Sequence, residues 1–180
     1  MRRILVWAVL LASAGCGESR RAPLRASGLA EGFVFHACVL LTRSQAETAA
    51  EEPLRGMATF LDQPSGTDFA KCSYGTPDRL GKTVSLEVRR HRTPAQAARV
   101  QESARNSARK MAEGDVLGIG DLGDEAFWAG AKLSQLHVRW GEVRVIVTEQ
   151  MGGEADRAGQ AQDLAATALE RLRQASAQGL

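Results

Sequence analysis

Three stretches of the chain space their apolar residues as a helix does. Thr42-Arg43-Ser44-Gln45 has the form of a capping box, and Ala46 to Glu52 continue with good helix formers until Pro53 stops them. Thr93-Pro94-Ala95-Gln96 repeats the device, with proline at the first helical position, where its missing N–H costs nothing. The predicted helix runs from there to about Ala112, with Ala97, Val100, Ala104, Ala108 and Met111 near one face and Gly114 as its stop. A third helix is predicted over about Asp156 to Arg173, where Ala161, Leu164, Ala165, Ala168, Leu169 and Leu172 form an apolar stripe.

Between these stretches the period changes to two. Val84, Leu86 and Val88 alternate with Ser85, Glu87 and Arg89, the pattern of a half-buried strand. Leu136, Val138 and Trp140 do the same, and Val143, Val145 and Val147 follow after Gly141-Glu142. A Gly-x pair between two alternating runs predicts a hairpin of the II′ kind. Weaker strands are expected at Met57 to Asp62, Asp68 to Tyr74 and Glu125 to Gly130. The expected fold class is α+β, an antiparallel sheet of about five or six strands whose apolar face is covered by helices. Short neighbouring strands do not need the long crossovers of a parallel nucleotide-binding sheet.

The first residues have a different pattern, that of a secretory signal. Arg2 and Arg3 form a basic start, Ile4 to Ala12 a short apolar run, and Ser13-Ala14-Gly15 a small-residue cleavage segment. The apolar run is shorter than the roughly 20 residues a transmembrane helix needs. A cysteine directly after small residues resembles the lipobox of bacterial lipoproteins, although Ser13 stands where Leu is commonest. That resemblance implies cleavage before Cys16, acylation of its thiol and new amine, and attachment to a membrane. Two or three acyl chains satisfy the requirement for stable anchoring, each buried CH₂ contributing roughly 0.8 kcal/mol. Gly17 follows the cysteine where the lipoprotein pattern uses Asp to retain proteins at the inner membrane. In a cell with two membranes, the expected home is therefore the periplasmic face of the outer one.

Processing changes the charge balance. The full chain carries 23 basic and 21 acidic residues, and loss of Arg2 and Arg3 leaves 21 of each. The sequence pI of about 8.6 thus belongs largely to the signal peptide. It gives no support to nucleic-acid binding, which an exported protein is not expected to perform. The expected organisation is a signal peptide over residues 1–15, a lipid anchor and solvated tether over 16–32, and one domain over 33–176. The tether holds Ser19, Arg20, Arg21, Pro23, Arg25, Ser27 and Gly28, and its r.m.s. reach is roughly 20 Å. The domain is long enough to bury its own core.

Two further cysteines, Cys38 and Cys72, remain after lipidation of Cys16. In an oxidising compartment such a pair reads as one disulfide, against the alternatives of two free thiols or a metal site completed by His36. The metal alternative suffers from awkward ligand spacing.

Cys38-Val39-Leu40-Leu41-Thr42, Cys72-Ser73-Tyr74 and Gly123-Asp124-Glu125-Ala126-Phe127-Trp128 occur in this order before a Val-rich hairpin and a terminal helix. The arrangement resembles small bacterial lipoproteins of unknown function from high-GC bacteria. These are built on a Cys-x-Leu-Leu-Thr … Cys-x-Tyr … Gly-Asp-x-Ala-Phe/Trp plan. The resemblance spans about Phe33 to Leu172, and His36-Ala37 departs from the Pro-Cys start often seen there. It implies a disulfide between the two cysteines and brings no established reaction.

Candidate chemistry is sparse. Gly120-Asp121-Leu122-Gly123-Asp124-Glu125 offers three carboxylates to a calcium ion, but it lacks the alternation and distal Glu of an EF-hand loop. Glycines with Asp are also what a tight turn needs, and the turn is the preferred reading. Phe127 and Trp128, as neighbours on a strand, are expected to point to opposite faces, one buried and the other more exposed; Trp140 is expected in the core. His36, His91 and His137 are scattered, with His137 alternating outward from the apolar set, and no His-Glu-x-x-His pattern occurs. No Gly-x-Ser-x-Gly elbow is present, Ser65 in Pro64-Ser65-Gly66 reads as a turn, and Gly118-Ile119-Gly120 opens no helix. Arg89, Arg90, His91 and Arg92 are suited to phosphate or anionic lipid, against the plainer reading of a solvated sheet edge.

The expectation is a non-catalytic envelope lipoprotein, without catalytic residues, cofactor or metal, that binds an envelope protein or small ligand. Trp128, Arg89, Arg90 and Arg92 form its candidate binding surface. The alternative is a small-molecule or lipid carrier with a pocket between sheet and helices.

Overall fold

The period-two runs pair into one sheet. A computed structural model describes residues 36–54, 69–76, 82–111, 116–130, 133–150 and 157–178. Six strands, β1 (Phe69–Gly75), β2 (Thr83–Arg90), β3 (Val116–Ile119), β4 (Glu125–Ala129), β5 (Gln135–Trp140) and β6 (Val143–Gln150), lie in the order β1-β2-β6-β5-β4-β3. Every neighbouring pair is antiparallel. Four helices accompany them, α1 (Ala37–Leu40), α2 (Arg43–Ala50), α3 (Pro94–Met111) and α4 (Arg157–Ala177). The architecture is α+β, as the alternation of periods predicts.

One face of the sheet is apolar except for Glu149, which is fully buried there. Val84, Leu86 and Val88 of β2 stand in register with Glu149, Val147 and Val145 of β6, and Val147 and Val145 pair in turn with Leu136 and Val138 of β5. These valines and leucines are fully buried, each contributing roughly 1.5–3 kcal/mol relative to exposure. They share a single cluster with Ala161, Leu164, Ala165, Ala168, Leu169 and Leu172, the stripe of α4. α1 and α2 complete this layer over β1 and β2. The Thr42 capping box is present, Gln45 N–H donating to Thr42 Oγ1 while Thr42 N–H donates to Gln45 Oε1 at 3.0 Å. Arg171 of α4 donates from Nη1 to the carbonyls of Val39 and Leu40 at 2.9 and 2.8 Å, tying α4 to α1.

The disulfide joins Cys38 in α1 to Cys72 in β1, with Cα atoms 5.0 Å apart. It staples the helical entry to the sheet, and Tyr74 donates from its hydroxyl to the Leu41 carbonyl at 3.0 Å beside it.

Helices cover both faces, not one. α3 crosses the second face against β3, β4, β5 and β6, where Ala108 joins Phe127 and Ala129 in a smaller cluster. The buried side of α3 is Ala97, Gln101 and Ala108, whereas Val100 is half-buried and Met111 is 51% exposed. The stripe expected from apolar residues alone is therefore rotated, because a glutamine takes one of its central positions. α1 and β3 were not anticipated by periodicity. Both are four residues long, and β3 is made by its pairing with β4. The strand expected at Met57 to Asp62 lies outside the described residues, as do Cys16 and the tether.

Candidate functional site

Because α3 buries the second face, side chains that alternate away from the core are enclosed. Reading across β2, β6, β5 and β4, Arg89 faces Arg144, Arg144 faces Arg139, and Arg139 faces Glu125. The next row brings Ile146 beside His137 and His137 beside Phe127. Arg144 and His137 are 5% and 7% exposed, so the expectation that His137 points to solvent is wrong. His137 does lie opposite the apolar set, but α3 is above it.

The enclosed polar groups form a chain of matched donors and acceptors. Arg144 donates from Nε to Gln101 Oε1 at 3.0 Å, and Gln101 donates from Nε2 to the His137 carbonyl at 3.3 Å. Arg144 Nη2 lies 3.3 Å from His137 Nδ1, and His137 Nε2 lies 3.2 Å from Gln135 Oε1. Since arginine only donates, Nδ1 must be the acceptor and Nε2 must carry the proton that goes to Gln135. Burial first, and then the adjacent Arg144 charge, push His137 down to about 4, which keeps this neutral tautomer at neutral pH. The imidazole also stacks flat on Phe127, with ring centroids 4.6 Å apart, and the Arg105 guanidinium lies over the same Phe127 ring, 5.1 Å from its centroid.

Charges around this layer are unevenly matched. Arg139 meets Asp124 at 3.0 Å and Glu125 at 3.6 Å, while Arg105 meets Glu125 at 3.1 Å. Arg89 meets Glu87 at 3.2 Å and lies over the Phe69 ring at 4.8 Å. Among the described residues, the hydrogen-bond partners of the Arg144 side chain are the neutral Gln101 and His137. Burial and the Arg89 charge pull its pKa down and the more distant Glu87 pulls it up, yet a guanidinium stays protonated throughout.

The Gly-Asp segment is a turn that braces this site. Asp121 and Gly123 take positive φ of 58° and 69°. Asp124 accepts from the Gly141 amide at 2.6 Å and from Arg139, and its own amide donates to the Arg139 carbonyl at 2.8 Å. The Asp124 carboxylate is thus committed to the β5–β6 hairpin, where Gly141 has the positive φ, 59°, that a II′ turn requires of its first residue. Among the described residues no group of three or more His, Cys, Asp or Glu is placed to hold a metal.

Known protein families, curated proteins and solved structures offer no match to this chain.

The residues of the expected binding surface differ in exposure. Trp128 is 7% exposed within the apolar layer and Phe127 is fully buried beneath α3, so neither is the exposed aromatic that alternation predicts. A sheet covered on both faces buries both neighbours. Trp140 is in the core as expected. Arg89 and Arg92 are exposed and Arg90 is half-buried. They do not guard a sheet edge, because β2 is flanked by β1 and β6. Gln101, Arg144 and His137 are the residues that sequence reasoning missed. The available signal was Gln101 itself, a polar residue four after Ala97 and seven before Ala108 on the buried side of α3.

Proposed function

We propose that this chain is a lipid-anchored envelope protein whose α+β domain is a non-catalytic binding module for another envelope component. The observation that carries the reading is the Cys38–Cys72 disulfide, which joins α1 to β1 and seals Cys72 from solvent. Such staples persist in oxidising compartments and are rare in reducing ones. The apolar run before Cys16 and the polar stretch after it agree with export, lipidation and a tether. A module reading is further supported by the commitment of Asp124, Glu125, Glu87 and His137. Asp124, Glu125 and Glu87 are held in ion pairs and His137 in a hydrogen-bonded stack, an arrangement suited to presenting a surface.

Native mass spectrometry of the protein gently extracted from its own membrane tests this. The expected spectrum is an acylated chain beginning at Cys16, two hydrogens lighter than the reduced form, with a second protein attached. A retained small molecule in place of the protein would move the reading to a carrier with a pocket between sheet and helices. An unlipidated chain beginning elsewhere would remove the anchor from the proposal.

A further inference from the structure

The row Arg89–Arg144–Arg139 places three guanidinium-bearing residues directly opposite one another on adjacent strands, an arrangement that is unfavourable on its own. The outer two are answered by acids. Arg139 has Asp124 and Glu125, and Arg89 has Glu87. The middle one is the most buried, and no carboxylate lies within ion-pair distance of it among the described residues. Its Nε and Nη2 are held by Gln101 and His137, which orient the guanidinium and leave its positive charge whole. Nη1 makes no hydrogen bond among the described residues, and it is not one of the partnerless polar atoms sealed from solvent. Just past the end of β2, two residues after Arg89, His91 is anchored through its amide to the Glu142 carbonyl at 2.9 Å. Its Nε2 is buried without a hydrogen-bond partner, within electrostatic range of both Arg144 and Arg89. A buried cation whose stabilising acid, Glu87, is already paired with Arg89 is costly, and so is a buried donor or acceptor left unpaired. A fixed guanidinium edge beside an exposed second arginine suits one chemical class, a multiply charged oxoanion.

We propose that Arg144 is the base of a phosphate-class oxoanion site on the second face of the sheet, with Arg89 at its rim and Gln101 and His137 as positioning residues. The inference rests on the binding-module reading and names the ligand chemistry it would recognise, whether the phosphate belongs to a small molecule or to a lipid headgroup.

The test is an NMR titration of the ¹⁵N-labelled full chain, with Cys16→Ser to keep it unacylated, using inorganic phosphate. The Arg144 Nε–H and His91 ring signals are followed. Saturable shifts with Kd on the order of 1 mM are expected for a single exposed-rim oxoanion contact. Arg89→Gln is expected to weaken binding about tenfold, the effect of losing one charge-assisted contact. Arg144→Met is expected to abolish the shifts and to lower the unfolding temperature, because it leaves the buried Gln101 Oε1 and His137 Nδ1 without their donor. If Arg144→Met fails to fold, Arg89→Gln carries the test alone, since Arg89 is exposed. Absence of saturable shifts, or equal affinity in the parent and Arg89→Gln chains, overturns the site. Co-sedimentation with phosphatidylglycerol vesicles that free phosphate reverses, with none on phosphatidylcholine, assigns the phosphate to a headgroup. Phosphate shifts without vesicle binding assign it to a small molecule. If phosphate does not bind while a protein still co-extracts with the lipidated chain, this inference falls and the module reading stands.

Discussion

Acid should weaken this fold through His137 before its carboxylates are exhausted. The imidazole is 7% exposed, accepts from Arg144 and is held near a pKa of about 4, against about 6.5 in an unfolded chain. A group whose folded pKa is depressed contributes stability that is complete above its unfolded value and is lost as pH falls toward the folded one. The relevant window is therefore pH 6.5 down to about 4. A difference of about 2.5 units at about 1.36 kcal/mol each gives a contribution of about 3 kcal/mol, most of it gone by about pH 4.5. His91 is depressed in the same direction by burial and by the Arg144 and Arg89 charges, so it adds to the loss. Paired carboxylates titrate near the lower end, which makes the parent chain's pH slope a composite. The informative quantity is the slope difference between the parent and His137→Gln, where the amide oxygen can still accept from Arg144. Urea denaturation of both at pH 7.5 and 4.5 should show the variant losing about 2 to 3 kcal/mol less than the parent. A His137 ring that titrates near 6.5 by NMR, or identical losses in the two chains, would refute the buried neutral tautomer and the network built on it.

Other perturbations follow from the same geometry. Gly123→Ala should destabilise the domain by at least about 2 kcal/mol in urea denaturation, because positive φ is strained for alanine. Its Cβ would also press on the Arg139 carbonyl oxygen and approach Val138 Cγ1 at 2.8 Å. Reduction of the Cys38–Cys72 bond, or Cys38→Ala with Cys72→Ala, should cost about 3 to 4 kcal/mol for a loop closed over a separation of 34 residues, read as a lowered urea midpoint. Gln101→Leu should cost about 2 to 4 kcal/mol, since it leaves the Arg144 Nε–H unsatisfied beneath α3, and Gln101→Leu with Arg144→Met should recover much of that. The absence of such recovery in a double-mutant cycle would show that the two residues are not coupled.

The larger elements were legible because their signals are local. The Thr42 and Thr93 boxes start helices wherever they occur, and the alternation around Leu86, Val138 and Val145 leaves only one register that buries every apolar side chain. What stayed hidden is tertiary. Nothing in the spacing of Arg144 or His137 says that a helix lies above them, because alternation separates two faces without telling which faces meet water. Alternation expects one of Phe127 and Trp128 to be more exposed, whereas both are buried, on opposite faces of the sheet. Gln101 carried a weak hint, since one long polar residue among small ones on a buried stripe implies something polar beneath it. The candidate site is a property of α3 crossing the sheet, and that crossing depends on long-range packing.

The strand order also dictates how the molecule can be assembled. β3 to β6 are consecutive neighbours that zip as hairpins, and β1–β2 is another such local pair. The seam between the two units is β2 against β6, residues distant along the chain, so its closure bears the largest loop entropy and is expected to be the slow step. Until β6 docks, the Val84, Leu86 and Val88 strand has one unpaired flank, as does the meander that will receive it. Both are open templates for strands of other molecules. A chain stalled or clipped before that seam closes would therefore be sticky at two places at once, and any factor that shields β2 during synthesis would act where the fold is most exposed to error.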